Sequence, residues 1–321
     1  MNPLISICVP VYNVAPNIER CVRSLMEQTY ENIEYVFVND CSTDSSVEIL
    51  QHSLAQYPDR LPHARIIHND RNHGLAYTRR VSIEAAQGDY IYCVDSDDYI
   101  EPTTIEHMVR AVRSKDHTMV IAGYMDERGT KKTMVPPPMI QPDEDLLLAV
   151  LEDSIFRLSG KLIQRSVFDL PSVHFAPEGM NYLEDRIVLL YVCGAIQSVC
   201  IVNEPLYHYV QHPQSVSNNK TYTHFACLVR YWQLTDSYLA ERALTARYQD
   251  LTDRKKIEDK IHLLHACDDM TICRKYATLF ADAEGRRPDI RLSRGFRITR
   301  FLTEHKLWIL LRFYKIFVHF F

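Results

Sequence analysis

Glycine is scarce, nine in 321 residues, and the chain contains no Gly-Xaa-Gly-Xaa-Xaa-Gly or Walker-type stretch. A glycine loop that cradles phosphates is therefore not the route by which this protein meets a nucleotide. Paired cysteine motifs are missing too: the nine cysteines are odd in number and include no Cys-Xaa-Xaa-Cys. They fit neither a disulfide framework nor a zinc site and point to a reducing cytosol, where cysteine in apolar runs acts as a small hydrophobe. The N-terminus, Met1-Asn2-Pro3-Leu4, lacks a basic region leading into an apolar stretch, so no secretory signal is expected. A spanning helix needs about 20 mainly apolar residues. The best candidate, Leu307 to Phe321, has 15 and carries Arg312 and Lys315. Excess positive charge is absent as well, because the formal net charge is −5, which argues against a surface built for nucleic acid.

The composition that is present, 46% hydrophobic and 24% charged, excludes a disordered or low-complexity chain and supports a folded body of about two domains. Charge is unevenly divided. Residues 291–321 hold seven basic residues and one acid, a charge of +6 that leaves −11 for residues 1–290. Over the first 125 residues, short apolar runs alternate with amphipathic segments, the pattern of a parallel sheet wrapped by helices. Strands are predicted at Leu4 to Val11, Ile33 to Val38, Ala64 to His68, Tyr90 to Val94 and Met119 to Ala122. The intervening periodicity predicts a helix after Pro16, then helices at Ser45 to Gln56, Leu75 to Gln87 and Thr103 to Ser114. Polar residues and Pro136-Pro137-Pro138 mark Asp126 to Asp145 as a boundary or mobile loop. Further on, helices are expected near Leu146 to Phe156 and from Glu184 to Cys193, with strands at Ser198 to Val202 and Leu206 to Val210. From Tyr222 to about Ala283 the pattern is helical and free of proline.

In an open parallel sheet, ligands bind beyond the carboxyl ends of the strands. Two such ends are acidic here: Asn39-Asp40, and Asp95-Ser96-Asp97-Asp98. Three carboxylates in four positions repel one another unless a cation or hydrogen-bond donors offset them. Hard divalent ions such as Mg2+ or Mn2+ are commonly held by one or two carboxylates together with substrate phosphates. Read alone, the cluster is equally a solvated turn or helix cap, a role that Asp and Ser also favour.

Read together, the segments resemble the family 2 glycosyltransferases with a GT-A fold. The matching stretches are Ile5 to Asn13, Glu34 to Asp44, Asn72-His73-Gly74-Leu75 with Arg79, and Gly88 to Asp98. The resemblance is close over about the first 110 residues and thinner to about residue 217. It implies an α/β GT-A domain in which Pro10, Val11 and Tyr12 line the nucleotide base and Asp40 accepts a hydrogen bond from it. Asp95 would face the ribose and diphosphate and share the metal, with Ser96 beside it, and Asp97 would be the metal ligand of the Asp-Xaa-Asp motif. A shift of one residue would give Asp98 that role. Arg79 would sit near the donor phosphates or, in the bland reading, on a helix surface. Where the family commonly has Ala-Arg-Asn-Xaa-Gly, this chain has Thr78-Arg79-Arg80-Val81-Ser82. Gly160-Lys161-Leu162 and Tyr209-Val210-Gln211-His212-Pro213 resemble two later family elements, each short of one polar residue, and bring Lys161 and His212 toward the diphosphate.

By the same resemblance Glu184-Asp185 is the acidic element of the acceptor half, with Asp185 as general base and Glu184 positioning it or the acceptor. The bland reading is a pair of acids complementing a helix N-terminus. The implied reaction is inverting, metal-dependent transfer of a hexosyl or N-acetylhexosaminyl group from a nucleotide-diphosphate sugar to a saccharide. In the tail, Arg294, Arg297, Arg300, Arg312 and Lys315 recur at helical spacing beside Phe301, Ile309, Leu310, Phe313, Phe317 and Phe320. Such a stripe suits a helix lying in a membrane interface, or one packed on the protein or on a second subunit as in a homodimer. Membrane contact would place the enzyme on the inner face of the cell membrane and favour a lipid-linked acceptor in surface polysaccharide assembly. The division expected is 1–125 for the nucleotide-sugar half, 126–217 for the acceptor half, 218–290 for a helical extension and 291–321 for the tail. A nucleotidyltransferase or other nucleotide-sugar enzyme, and a non-catalytic membrane-docked sugar-nucleotide binder, are the competing readings.

Overall fold

A computed structural model describes residues 2–113, 117–140, 146–211, 222–286, 290 and 292–320, with side chains left undescribed at 222 and 316–320. The chain forms two compact units, Met1–His212 and Pro213–Phe321.

The first unit is built on one sheet of nine strands among the described residues. β1 (Ile5–Val11) is buried at every position, which is why its sequence runs apolar on both faces instead of alternating. It pairs in parallel with β2 (Ile33–Asn39) on one side and β4 (Tyr90–Cys93) on the other, and β3 (Ala64–His68) pairs in parallel with β2. Connecting these strands are α1 (Ile18–Met26), α2 (Ser46–Leu54) and α3 (Leu75–Ala85). Ile18, Cys21, Val22 and Leu25 supply the buried stripe of α1 at the expected helical spacing, and Pro16 lies in the turn ahead of it. Because β1, β2 and β4 run in one direction, Tyr12, Asp40 and Asp95 all emerge at the same edge of the sheet.

Beyond β4 come β5 (Tyr99–Ile100), α4 (Thr104–Ala111), β6 (Thr118–Arg128), β7 (Lys131–Val135), α5 (Leu146–Leu151), β8 (Lys161–Gln164), α6 (Glu184–Cys193) and β9 (Ser198–Gln211). β8 joins the sheet antiparallel to β4 and β6, so the sheet is mixed past β4. The segment expected as a loop from Asp126 is instead the last three residues of β6 and a hairpin to β7, which turns at Gly129 with φ of 59°. β7 ends at Val135, immediately before the three prolines, which carry no N–H for a ladder. Residues 141–145 of that expected loop lie outside the described residues. The two strands expected at 198–202 and 206–210 are one strand, β9, parallel to β6, and the register shift at Gly123 opposite Pro205 absorbs the proline. β6 crosses residue 125, so the two expected halves of the domain share this sheet.

The second unit is helical: α7 (Tyr222–Glu241), α8 (Thr245–Ala266), α9 (Met270–Tyr276), α10 (Ala281–Gly285), α11 (Arg294–Glu304) and α12 (Trp308–Phe320). Trp232 Nε1 donates to Asp259 at 3.1 Å, and Lys256 pairs with Asp236 at 2.7 Å, joining α7 to α8. The tail breaks between α11 and α12 at Lys306, where φ is 56°. Its basic stripe is not uniformly exposed, and Lys315 is the correction. That side chain is buried, and its ammonium donates to the Leu264 carbonyl at 2.5 Å and to the Cys267 carbonyl, so α12 is anchored to the end of α8. Arg294, Arg297, Lys306 and Arg312 remain exposed, as do Phe301, Ile309, Leu310 and Phe313. No described helix is long and apolar enough to cross a membrane.

Candidate active site

The described residues among those singled out from sequence collect around the carboxyl edge of β1, β2 and β4. Pro10 and Val11 are buried inside β1, and only Tyr12, 46% exposed, offers a side chain to a ligand. Asp40 is buried at the end of β2. Its Oδ1 accepts from Asn69 Nδ2 at 2.7 Å and His73 N at 2.9 Å, and its Oδ2 accepts from Gly74 N at 2.7 Å. Three donors leave little of this carboxylate for a base; in this structure it fixes the start of α3. Gly74, the residue ahead of that helix, has φ of 88°, and a Cβ there would collide with the Asn181 amide. Left-handed backbone and close approach together demand glycine.

From that fixed start, α3 carries Arg79 to the centre of the site. The guanidinium is 3% exposed and binds Asp95 Oδ1 at 2.8 Å, Glu184 Oε1 at 2.9 Å and Asp185 Oδ1 at 2.5 Å. The resemblance put Arg79 near the donor phosphates; the structure puts it between the acidic turn after β4 and the first turn of α6. Burial opposes charge on the guanidinium, but Asp185, Asp95 and Glu184 more than offset it and hold its pKa above the usual value. The carboxyls respond in the other direction. Burial, and then the Asp185 charge, push Glu184 up to about 7. Burial likewise raises Asp185, with Arg79 opposing. Leu183, ahead of α6, sits at φ of 64°, which turns the chain sharply and delivers both acids to Arg79.

The turn after β4 separates its three acids. Asp98 is buried: its Oδ2 accepts from the Tyr207 hydroxyl at 2.6 Å and its Oδ1 from Val210 N at 2.8 Å. Burial, then Asp97 and Asp95, raise its pKa well above the ordinary carboxylate range. The Tyr207 hydroxyl in turn accepts from Asp95 N at 3.2 Å, and Arg20 donates to the Asp97 carbonyl at 2.9 Å. Asp98 is thus a brace for the turn, while Asp95 and Asp97 stay partly exposed. Ser96 is buried between them. Among the described residues no three His, Cys, Asp or Glu side chains converge as a ready-made metal site. A divalent ion bound through substrate phosphates nevertheless suits these residues. Asp95 and Asp97, two residues apart on one turn and both partly exposed, offer the carboxylate oxygens that such an ion takes.

Lys161, first in β8, is buried, and its ammonium donates to the Arg157 carbonyl. Burial and then the Arg157 charge lower it to about 8. His212 lies outside the described residues. Tyr207 and Arg157 were not found from sequence: both sit among apolar or aromatic neighbours without motif spacing, and only the packing of β9 against the β4 turn gives Tyr207 its role.

The family model described as glycosyl transferase family 2 matches residues 6–183, ending just before Glu184-Asp185. EpsH of Bacillus subtilis, assigned as a glycosyltransferase, is 32% identical over 258 residues, which cover 78% of this chain and 73% of that protein. EpsJ of the same organism, an uncharacterised glycosyltransferase, is 32% identical over 225 residues, 68% of this chain and 64% of that protein. Among solved structures, S. aureus TarS residues 1–349 with UDP-GlcNAc superposes with a TM-score of 0.60 at 15% identity, covering 94% of this chain and 92% of TarS. The mannosyltransferase PcManGT of Pyrobaculum calidifontis, with GDP-Man and Mn2+, gives a TM-score of 0.50 at 15% identity, covering 97% and 86%.

Proposed function

The chain belongs to glycosyl transferase family 2, and from that premise we propose that it transfers a sugar, with inversion and with a divalent metal, from a nucleotide-diphosphate donor to a saccharide acceptor. The observation that carries the reading is the position of Arg79. It ties Asp95, on the turn where the family places the donor diphosphate, to Asp185, on the helix where the family places the base, although the two stand 90 positions apart in sequence. Donor and acceptor chemistry are thereby held to one point.

In this reading the nucleotide base stacks near exposed Tyr12 and the diphosphate lies over the Asp95–Asp97 turn. A bound Mg2+ or Mn2+ would be held by Asp97 and Asp95 and would offset charge on the leaving diphosphate. The Asp185 carboxylate removes the proton of the acceptor hydroxyl as that oxygen attacks the anomeric carbon. The bond from the anomeric carbon to the phosphate oxygen breaks on the opposite face, and its electron pair leaves with the nucleoside diphosphate. Arg79 is a positioning residue: it fixes the carboxylate rotamers of Glu184 and Asp185 and keeps Asp185 charged against its burial. UDP and GDP sugars, the donors named for TarS and PcManGT, are the first to test.

The expected outcome for Asp185→Asn is loss of transfer by about 10²–10⁴-fold with donor binding retained, measured by product formation and by titration with the sugar nucleotide. Turnover near the unsubstituted rate would remove Asp185 from the base role. Chelation with EDTA should abolish transfer, and Mn2+ or Mg2+ should restore it.

The tail completes the proposal. Exposed Phe301, Ile309, Leu310 and Phe313 beside exposed Arg294, Arg297, Lys306 and Arg312 suit contact with an anionic bilayer surface. Peripheral attachment on the inner face of the membrane would present the site to a lipid-linked saccharide, an acceptor suited to surface polysaccharide assembly.

A further inference from the structure

A cavity of ≈ 520 Å3 lies between β6, the segment following β7, α5 and residues 156–161. Two cations line it, Arg157 and Lys161. Arg157 is clamped by aromatic rings: its guanidinium carbon lies 4.0 Å from the centroid of Tyr124 and 4.2 Å from that of Tyr209. Stacking of this kind fixes the plane of the fork without using its in-plane N–H donors. The Nη1 atom of Arg157 is buried and has no hydrogen-bond partner among the described residues, and the same holds for Oγ of buried Ser159. Of the acids on the wall, Asp153 is paired with Arg186 at 2.9 Å, and Glu152 is exposed. The buried Asp185 charge acts on Lys161, whereas Arg157 has no ion pair among the described residues.

Its place in the fold connects it to transfer. The segment that supplies Arg157, Ser159 and Lys161 also supplies the Leu158 amide, which hydrogen-bonds the Asp185 carboxylate. The nucleotide edge, at the ends of β1 and β2, contributes nothing to the walls. We propose that this cavity is an anion subsite for the acceptor: it seats a phosphate or carboxylate carried by the acceptor saccharide, with Arg157 Nη1 and Ser159 Oγ donating to its oxygens and Lys161 as the second cation. A stacked, planar fork with an unpartnered in-plane nitrogen is the geometry that recognises an oxyanion. The inference rests on the reading of Asp185 as the base, since it is proximity to Asp185 that assigns the subsite to the acceptor.

The test uses the full chain saturated with UDP and Mn2+, titrated with methyl glucuronide, glucose 1-phosphate and neutral methyl glucoside and followed by ligand-observed NMR. At least one charged sugar should bind about tenfold more tightly than the neutral one, and Arg157→Gln should remove that margin while Arg157→Lys keeps part of it. The better of the two charged probes identifies carboxylate or phosphate as the group. Ser159→Ala, a smaller change, should weaken the charged probe and serves as the second variant if Arg157→Gln does not fold. Equal binding of charged and neutral sugars overturns the proposal, as does an unchanged charged-sugar affinity in folded Arg157→Gln and Ser159→Ala. So does a loss of UDP affinity in Arg157→Gln as large as the loss for the charged sugar, because the subsite would then belong to the donor. Charged-sugar binding by a chain that takes no sugar nucleotide leaves the subsite standing and defeats the glycosyl-transfer reading; the reverse pattern does the opposite.

Discussion

At the scale of single residues, the structure divides roles among side chains that look alike in sequence. Asp95, Asp97 and Asp98 stand within four positions, yet Asp98 is consumed by Tyr207 and the Val210 amide while Asp95 meets Arg79. The acidic character of the turn is legible in the sequence; which acid is the brace is not, because Tyr207 is more than 100 residues away. Glu184 and Asp185 carry a consequence for pH. Both pKa values are raised by burial, Glu184 to about 7, and a base acts only when deprotonated. Activity should therefore fall as pH drops through the raised values of this coupled pair. The acid limb of kcat/KM is expected above the ordinary carboxylate value of about 4. A limb near that ordinary value, measured with saturating metal, would show that the ionisation of this pair does not limit transfer. Arg79→Lys should weaken the pair's geometry, since an ammonium cannot reproduce a planar fork bound to three carboxylates.

Elements, not residues, set the distances within the site. Asp40 holds the amides of His73 and Gly74, those amides begin α3, and α3 delivers Arg79 to α6. Gly74→Ala strikes this chain at its start, through both a left-handed φ and the Asn181 side chain. It should destabilise the protein by more than about 1 kcal/mol and depress transfer, read by denaturant titration and by kcat together. A fully active, equally stable Gly74→Ala would show that α3 does not depend on this turn. Strand and helix existence in the first 125 residues is legible because buried parallel strands are continuously apolar and the helices keep their period. Past β4 that legibility falls. The β6–β7 hairpin is polar and exposed along β7, so its residues read as a loop. In β9, Pro205 reads as a break, and only the shifted register opposite Gly123 makes it tolerable.

For the whole molecule, the −5 net charge conceals an acidic body and a basic tail. Tertiary packing changes the tail's use of its charges: Lys315 is spent inside the second unit on the carbonyls of Leu264 and Cys267. Exposed among the described tail residues are five apolar side chains, Phe301, Leu307, Ile309, Leu310 and Phe313, with Arg294, Arg297, Lys306 and Arg312. If these meet lipid, replacing Ile309, Leu310 and Phe313 together by serine should sharply reduce co-sedimentation with phosphatidylglycerol vesicles. Neutral phosphatidylcholine vesicles should bind the unsubstituted chain less well, and high salt should weaken binding by screening. Equal recovery of the substituted chain with anionic vesicles would assign these side chains to another contact.

Order and spacing of short motifs are determined by the sequence alone, and they sufficed for the family, the α/β class and the set of acids around which chemistry is proposed. Local periodicity and turn chemistry act over a few residues and can be read without a fold. Charge pairing acts across space. Only the tertiary structure decided that Arg79 binds Asp95, Glu184 and Asp185 at once, that Asp98 faces inward, and that Arg157 is caged beside the segment touching Asp185. Each of these contacts joins residues brought together by strand order, and a buried charge takes its partner, and its pKa, from whatever the packing places within a few ångströms.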